Sequence, residues 1–515
     1  MILQHRDGML FMGKQGYIKK EIPLKRKIPL YGLLLIVLLQ GCSVSKYVPQ
    51  QKIPPQRLQK DVAILKKTLQ QNHPGLYWYA DKTNIDAAFT ALQQSVIDSL
   101  TELAFHNKVA QMVATIECGH TAVRFSKLYI HYLMNNRFPM FPLYLYNWKN
   151  HLYVFKNMHA KDTMLIKGME VLTINQFSAA QIIDSLYQFI SADANNPYFK
   201  AQVISNNFPA WYRLVFGLDS TYQLQYIDTS GAKKTVCLKN YVPEKDTSAL
   251  HATTIRSNKA YPLPSKKISA LQLKRSLQID TLHRFAYMYV SSFSGGRLRG
   301  FFRKSFRTIK QQKITHLIVD VRGNGGGNVN KSVLLTKYLI RQPFKVADTA
   351  VSLHKTMWDK RYILPWWLYW FPMQWGSVKG ADRLFHAKRI ETHIYRPKLK
   401  KHFNGHIFLL QDGYTFSAAA MFTGSLKGQP NVLIAGTPSG GAYYGNNALF
   451  LPHLKLPNSK LRITLPMYRV VLDSARPKNG KGVLPDMWVQ PQQRNHLTLP
   501  PNALQQVIFK IVQNK

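Results

Sequence analysis

Apolar residues recur at helical spacing along the first part of the chain. Between Arg57 and about Leu103, Val62, Leu65 and Leu69, then Ile85, Phe89, Leu92 and Val96, fall three or four apart, with NHPGLYWY breaking the pattern. This predicts a small helical unit over residues 57–130. It continues through the helix-like HNKVAQMVATI to ECGHTAVRF, where small and polar residues give way to a strand-like alternation. From about Phe138 to Tyr241 the pattern becomes short strands and turns around one clear helix. That helix begins near Ser178 and carries Ile182, Ile183 and Leu186 on one face. From about Thr253 onward strands and helices alternate: FAYMYVSSF, a basic helix through Arg303 and Ile309, THLIVDVRGNGGGN, a helix after Asn330, HIFLLQDG, a helix after Ser417, and NVLIAG. Such alternation predicts an α/β core over 251–515 in which glycine-rich loops follow strands.

A long interruption at 351–400 contains LPWWLYWFPMQW. Four tryptophans within ten residues suit either a wedge at a membrane interface or a packed lid, and the tendency of aromatic rings to bury one another favours the lid. Near the start, a basic patch (Lys19, Lys20, Lys25, Arg26, Lys27) precedes an apolar run from Ile28 to Leu39 that is short for a bilayer span and stops at Leu39-Gln40-Gly41-Cys42. The segment 1–41 resembles a bacterial lipoprotein signal peptide. The resemblance implies cleavage before Cys42 and acylation of that cysteine. It also implies a protein of the bacterial cell envelope, held to the membrane by lipid and facing the periplasm or the exterior. Residues 42–56, SVSKYVPQQKIPPQ after the cysteine, read as a polar tether.

Composition adds little to the fold and more to the partners. With 515 residues, 46% of them hydrophobic, the chain can bury a substantial core. Lys and Arg number 69 against 25 acidic residues, a formal charge of +44, yet the basic residues are scattered and no zinc finger, RNP-like pattern or continuous basic helix accompanies them. Attraction to anionic lipid head groups or acidic envelope polymers is the simpler reading, and no nucleic-acid partner is expected. Beyond Cys42 the cysteines are Cys118 and Cys237, which an exported protein could pair or could keep as buried thiols.

The chemistry gathers at QDGYTFSAAAMF, residues 411–422. Turn-forming residues are followed by small, helix-favouring ones, which places Ser417 at a strand-to-helix junction, as an N-cap or as a nucleophile beside free helix amides. DVRGNGGGN, Asp320 to Asn328, ends an apolar strand with glycines able to turn sharply and direct N–H groups at a substrate oxygen. It matches neither a dinucleotide nor a Walker loop. The chain also lacks the G-x-S-x-G elbow and H-E-x-x-H.

Together DVRGNGGGN, TFSAAA and GKGVLPDMWV resemble, in order and spacing, the core of the tail-specific or C-terminal processing peptidases, serine peptidases whose core is related to the crotonase and Clp protease folds. LIKGMEVLTINQFSAAQIIDSLYQFI resembles the PDZ domain that accompanies such cores, implying a PDZ-like domain over 131–250. The fold class expected is therefore α/β, a ClpP/crotonase-like core with a β-rich PDZ-like domain and a small helical N-terminal domain. The resemblance makes Ser417 the nucleophile and puts the oxyanion hole at the N–H of Ala418 and at Gly326, with Gly325 beside it. The lysine base of one branch would fall at Ala442. The branch that includes the tricorn core peptidase uses instead a histidine in a D-G-H-T segment, which ECGHTAV matches at His120. Where that branch has an orienting glutamate, this chain has Asn479, leaving Asn479, Asp473 or no residue in the role. The implied activity is hydrolysis of polypeptide substrates, needing no metal and no cofactor. A noncatalytic peptide- or apolar-ligand-binding lipoprotein on the same fold is the alternative.

Overall fold

The structure is a computed structural model that describes residues 47–243 and 271–489. The basic patch, the apolar run and Cys42 lie outside the described residues. Among those described, no helix is long and apolar enough to cross a membrane.

The α/β core is built on a six-stranded sheet in the order Arg275–Asp280, Phe285–Val290, His316–Asp320, His406–Gln411, Val432–Gly436, Met487–Trp488. Its first pair is antiparallel and the rest are parallel. Strands buried on both faces read as continuous apolar runs, and FAYMYV shows why. Ala286, Met288 and Val290 turn to one side, where the helices Leu298–Gln311, Val329–Leu339 and Ala418–Leu426 pack; Phe285 and Tyr287 turn to the other, beside Ile318 and Phe408. His316–Asp320 and His406–Gln411 are parallel neighbours in register, so the loops leaving their carboxyl ends, DVRGNGGGN and DGYTFS, emerge side by side. That is where open α/β sheets place ligands.

The middle of the chain forms a six-stranded antiparallel sheet, Leu143–Trp148, His151–Asn157, Glu170–Ile174, Thr221–Ile227 and Lys233–Lys239 in that order, with the short strand Phe177–Ser178 paired on Glu170–Ile174. Its first helix, Ala179–Tyr187, is opened by a capping box between Ser178 and Gln181 and buries Ile182, Ile183 and Leu186. Two further helices, Pro197–Asn206 and Phe208–Phe216, complete this part.

The N-terminal helices Pro55–Asn72, Lys82–Gln94 and Glu102–Ala114 do not enclose a core of their own. Leu58, Leu65, Phe89 and Val109 share one buried cluster with Ala350, Ile363, Leu454 and Ile463 from the far end of the chain. The strand expected after ECGHTAV is only Val123–Arg124, and it pairs with Arg462–Thr464. The segment carrying His120 is thereby bound to the later half of the chain, and a fourth helix, Lys127–Asn135, runs past the expected boundary at 130. The interruption at 351–400 is likewise part of the body: Val378–Lys379 and Phe385–His386 extend an antiparallel sheet through Thr349–Ser352, Tyr468–Val471 and Gly445–Ala448. Its aromatic stretch folds as the helix Trp366–Gly376. Met373 is buried and Trp366 and Tyr369 pack inward, as a lid would, but Trp367, Phe371 and Trp375 stay exposed.

Candidate active site

Ser417 precedes the first residue of the Ala418–Leu426 helix, but it does not cap it. Its side chain makes no bond to the helix amides, and its backbone sits at φ +53°, ψ −125°, a left-handed region costly for a residue with a Cβ. Neighbouring contacts impose this conformation. The Phe416 amide donates to Asn324 O (3.0 Å), the Thr415 hydroxyl donates to Val321 O (3.1 Å), and the Phe416 ring is sunk in the core of the middle sheet. The Ser417 hydroxyl instead meets His120, with Oγ 3.0 Å from Nε2 across 297 residues of sequence. His120 is 8% exposed and its ring lies 4.7 Å from that of Phe416, whereas Ser417 remains partly open to solvent.

Burial lowers the His120 pKa to about 4, so the imidazole is neutral near pH 7 and can receive a proton. With Nε2 as acceptor the ring proton belongs on Nδ1, and Nδ1 is buried without a hydrogen-bond partner. The two expected orienting residues do not fill this gap. Asp473 pairs with Arg476 (3.0 Å) and accepts from the Ala475 amide, while Asn479 is exposed and its Oδ1 accepts from the Lys481 amide. Both side chains are consumed in stabilising their own turn.

The acid that does reach this region belongs to no sequence motif. Asp193 is fully buried, with Oδ1 accepting the Gly119 amide at 2.8 Å and Oδ2 the Ala442 amide at 3.4 Å. It ties the segment preceding His120 to the position where the lysine branch would carry its base, which is here a buried alanine. Burial raises the Asp193 pKa to about 6, against the two amide bonds that lower it.

NHPGLYWY, legible only as a break between helices, supplies a second support. The Gly75 amide donates to His73 Nδ1 (3.3 Å), His73 Nε2 lies 2.8 Å from Thr121 Oγ1, and that hydroxyl donates to Cys118 Sγ (3.1 Å). Burial, opposed by a backbone hydrogen bond and reinforced by nearby His120, lowers the His73 pKa to about 3. His73 is therefore a neutral brace for the segment on either side of His120. Burial pushes the Cys118 thiol up to about 12, which leaves it inert; Cys237 is exposed, and both cysteines are free.

Ala418 opens its helix, and the first amides of a helix have no carbonyl of their own turn to bond, so its N–H is free for an oxyanion beside Ser417. Gly326 also lies against the serine: a Cβ there would fall 2.7 Å from Ser417 Cβ and 3.0 Å from Ala418 N. Its N–H, however, donates to Asn324 Oδ1 at 2.9 Å, so in this structure Gly326 contributes clearance rather than the expected second donor. Asn324 is itself buried and donates to Val290 O, pinning the glycine loop to the sheet. Asp486 holds the end of the core through the Ile434 amide (2.9 Å) and Lys427. His402 is used structurally, its ring nitrogens engaged by Asn404 and the Ile340 carbonyl.

Residues 284–489 match the family model for peptidase family S41. No curated protein matches the chain. Among solved structures, mature CPAF complexed with lactacystin is 13% identical with a TM-score of 0.59, covering 89% of this chain and 97% of its own. Mature CPAF alone is 14% identical with a TM-score of 0.57, covering 85% and 93%. The photosystem II D1 C-terminal processing protease is 12% identical with a TM-score of 0.40, covering 86% and 94%.

Proposed function

We propose that this chain, whose residues 284–489 match peptidase family S41, is a lipid-anchored serine endopeptidase of the bacterial cell envelope in which Ser417 is the nucleophile and His120 its base. The observation that carries the reading is the 3.0 Å contact between Ser417 Oγ and His120 Nε2, made by a serine that forgoes capping its helix. In the reaction His120 Nε2 takes the hydroxyl proton as Oγ attacks the peptide carbonyl carbon, and the Ala418 N–H receives the charge that develops on the carbonyl oxygen. The imidazolium then protonates the departing amine, the C–N bond breaks, and an acyl-enzyme remains. Water, deprotonated by the same imidazole, releases the acyl group as a carboxylate and restores the serine.

A fluorophosphonate probe tests this directly. The purified protein is expected to label on Ser417, located by mass spectrometry of the modified peptide, and to cleave an unfolded protein substrate at internal bonds. A folded protein that neither labels nor cleaves would sink the reading. The anchor is tested separately: incorporation of labelled palmitate that survives Cys42→Ser would remove Cys42 as the acylated residue. We further propose that the domain built on the six-stranded middle sheet is PDZ-like and receives polypeptide as an added strand.

Asp193 has the place of a positioning residue. Asn in its place keeps the shape but offers one carbonyl oxygen to two donors, so either the Gly119 or the Ala442 amide loses its partner. Asp193→Asn is expected to lower kcat by about ten- to a hundredfold, the cost of one hydrogen bond to a buried charge. Since its carboxyl titrates near pH 6, wild-type kcat/KM should show an inflection there that the variant lacks. An unchanged pH profile would reduce Asp193 to packing.

A further inference from the structure

The helix Trp366–Gly376, WWLYWFPMQWG, has no charged residue, and apart from the Gln374 amide and the Tyr369 hydroxyl its side chains are apolar all round. A helix of that kind is ordinarily enclosed, in a protein core or in lipid. This one is enclosed on one side only. Met373 is fully buried, Trp366 and Tyr369 pack on the core, and Tyr369 meets Phe450 at 5.7 Å. On the other side Trp367 is 64% exposed, Phe371 62% and Trp375 76%, with Leu368 and Leu364 beside them. Phe371 meets the rings of Trp375 at 6.1 Å and Trp370 at 6.3 Å, yet Phe371 and Trp375 stay more than half exposed, so the aromatic residues form a ridge and do not cover one another. An outward ridge of large aromatic side chains marks a surface that meets a second apolar phase.

The surroundings of the ridge decide which phase. Residues 351–400 hold ten Lys and Arg against three acidic residues, within a chain of net charge +44. Lys360 lies over the rings of Trp366 (5.1 Å) and Trp370 (5.5 Å), and exposed Lys379 follows the helix. A second copy of this chain would set the same basic flanks against each other, because a two-fold contact joins like to like. Anionic head groups neutralise those flanks, while tryptophan rings favour the boundary between head groups and acyl chains. We propose that this ridge docks on the surface of an anionic phospholipid bilayer, seating Trp367, Phe371 and Trp375 at the acyl boundary. The contact is made by the folded body of the protein and does not rest on acylation of Cys42 or on the catalytic reading.

The test uses the full chain and vesicles whose phospholipids carry bromine on the acyl chains, which quench tryptophan only on contact. An attachment elsewhere in the chain leaves Trp367 and Trp375 bright unless the ridge itself enters the bilayer. Strong quenching is expected with brominated phosphatidylglycerol, weak quenching with brominated phosphatidylcholine, and loss of the difference in high salt. Phe371→Glu keeps both reporter tryptophans and replaces an exposed ring with a charge. It is expected to need at least about tenfold more anionic lipid for the same quenching, with its melting temperature unchanged. Absence of quenching in the wild type, or equal quenching in Phe371→Glu, overturns the proposal. A concentration-dependent dimer that Phe371→Glu dissociates would assign the ridge to a second copy and overturn it equally.

Discussion

Ser417→Ala and His120→Ala are each expected to lower kcat by about 10³- to 10⁶-fold, and the double variant to be no slower than the worse single one, because in the proposed mechanism the two groups move one proton as a unit. Neither change should unfold the protein. Ser417 gains nothing from capping and is held in a left-handed backbone conformation, and Ala at 417 keeps the Cβ that the site already accommodates. The pH dependence separates this mechanism from a merely structural histidine. Only neutral imidazole accepts the serine proton, and burial brings its pKa down from 6.5 to about 4. The acid limb that His120 sets on kcat/KM should therefore fall near pH 4, with activity lost as pH drops through that value. A His120 limb near 6.5 would show a solvated ring and contradict the enclosed geometry. Enclosure has a cost: a base of pKa about 4 pulls weakly on a serine proton, and with Nδ1 unpartnered nothing in the described residues stabilises the imidazolium. Low turnover is expected, rising when a bound peptide or water supplies an acceptor to Nδ1.

Hydrophobic periodicity and turn chemistry are local signals, and the features they govern were legible. The alternating strands and helices of the core, the helix after Ser178 with its three inward residues, and the placing of Ser417 at a strand-to-helix junction all follow from spacings of a few residues. What depended on distant pairing was not. Leu65 and Phe89 show a helical stripe, but nothing in the stripe says that its cover comes from residues near 350 and 460. Asp193 sits in an unremarked SADANNP and becomes important only because chain folding brings the Gly119 and Ala442 amides to it. Asn479 and Asp473 lie at the expected place in the sequence, yet each is satisfied within its own turn before it can reach a ring. The aromatic helix read as a packed lid, yet one of its faces stays exposed, because composition gives the number of rings, whereas packing decides which face they occupy.

Gly326→Ala is the second substitution expected to be severe, and it probes geometry rather than chemistry. The added methyl would stand 3.0 Å from Ala418 N, inside the range of 2.7–3.1 Å at which an oxyanion sits from its donor. It would also meet Ser417 Cβ at 2.7 Å and Phe416 O at 2.8 Å, closer than real Cβ atoms come. The glycine's φ of +95° adds strain of about 1–2 kcal/mol for any L side chain. The methyl must therefore fill the space for the developing charge or displace the nucleophile, and kcat is expected to fall by at least about 10²- to 10³-fold. Fluorophosphonate labelling should fall with it, since the phosphoryl oxygen needs the same space. Gly325→Ala is the matched control: its Cβ would meet only the edge of the Tyr414 ring, at 3.1 Å, which a small ring movement relieves. A Gly326→Ala protein with wild-type kcat would place the oxyanion elsewhere. Equal damage from both substitutions would mean that the loop acts through its overall flexibility. Damage confined to Gly326→Ala, despite an N–H already given to Asn324, would establish that this glycine serves by leaving space beside Ser417, with Ala418 supplying the hydrogen bond.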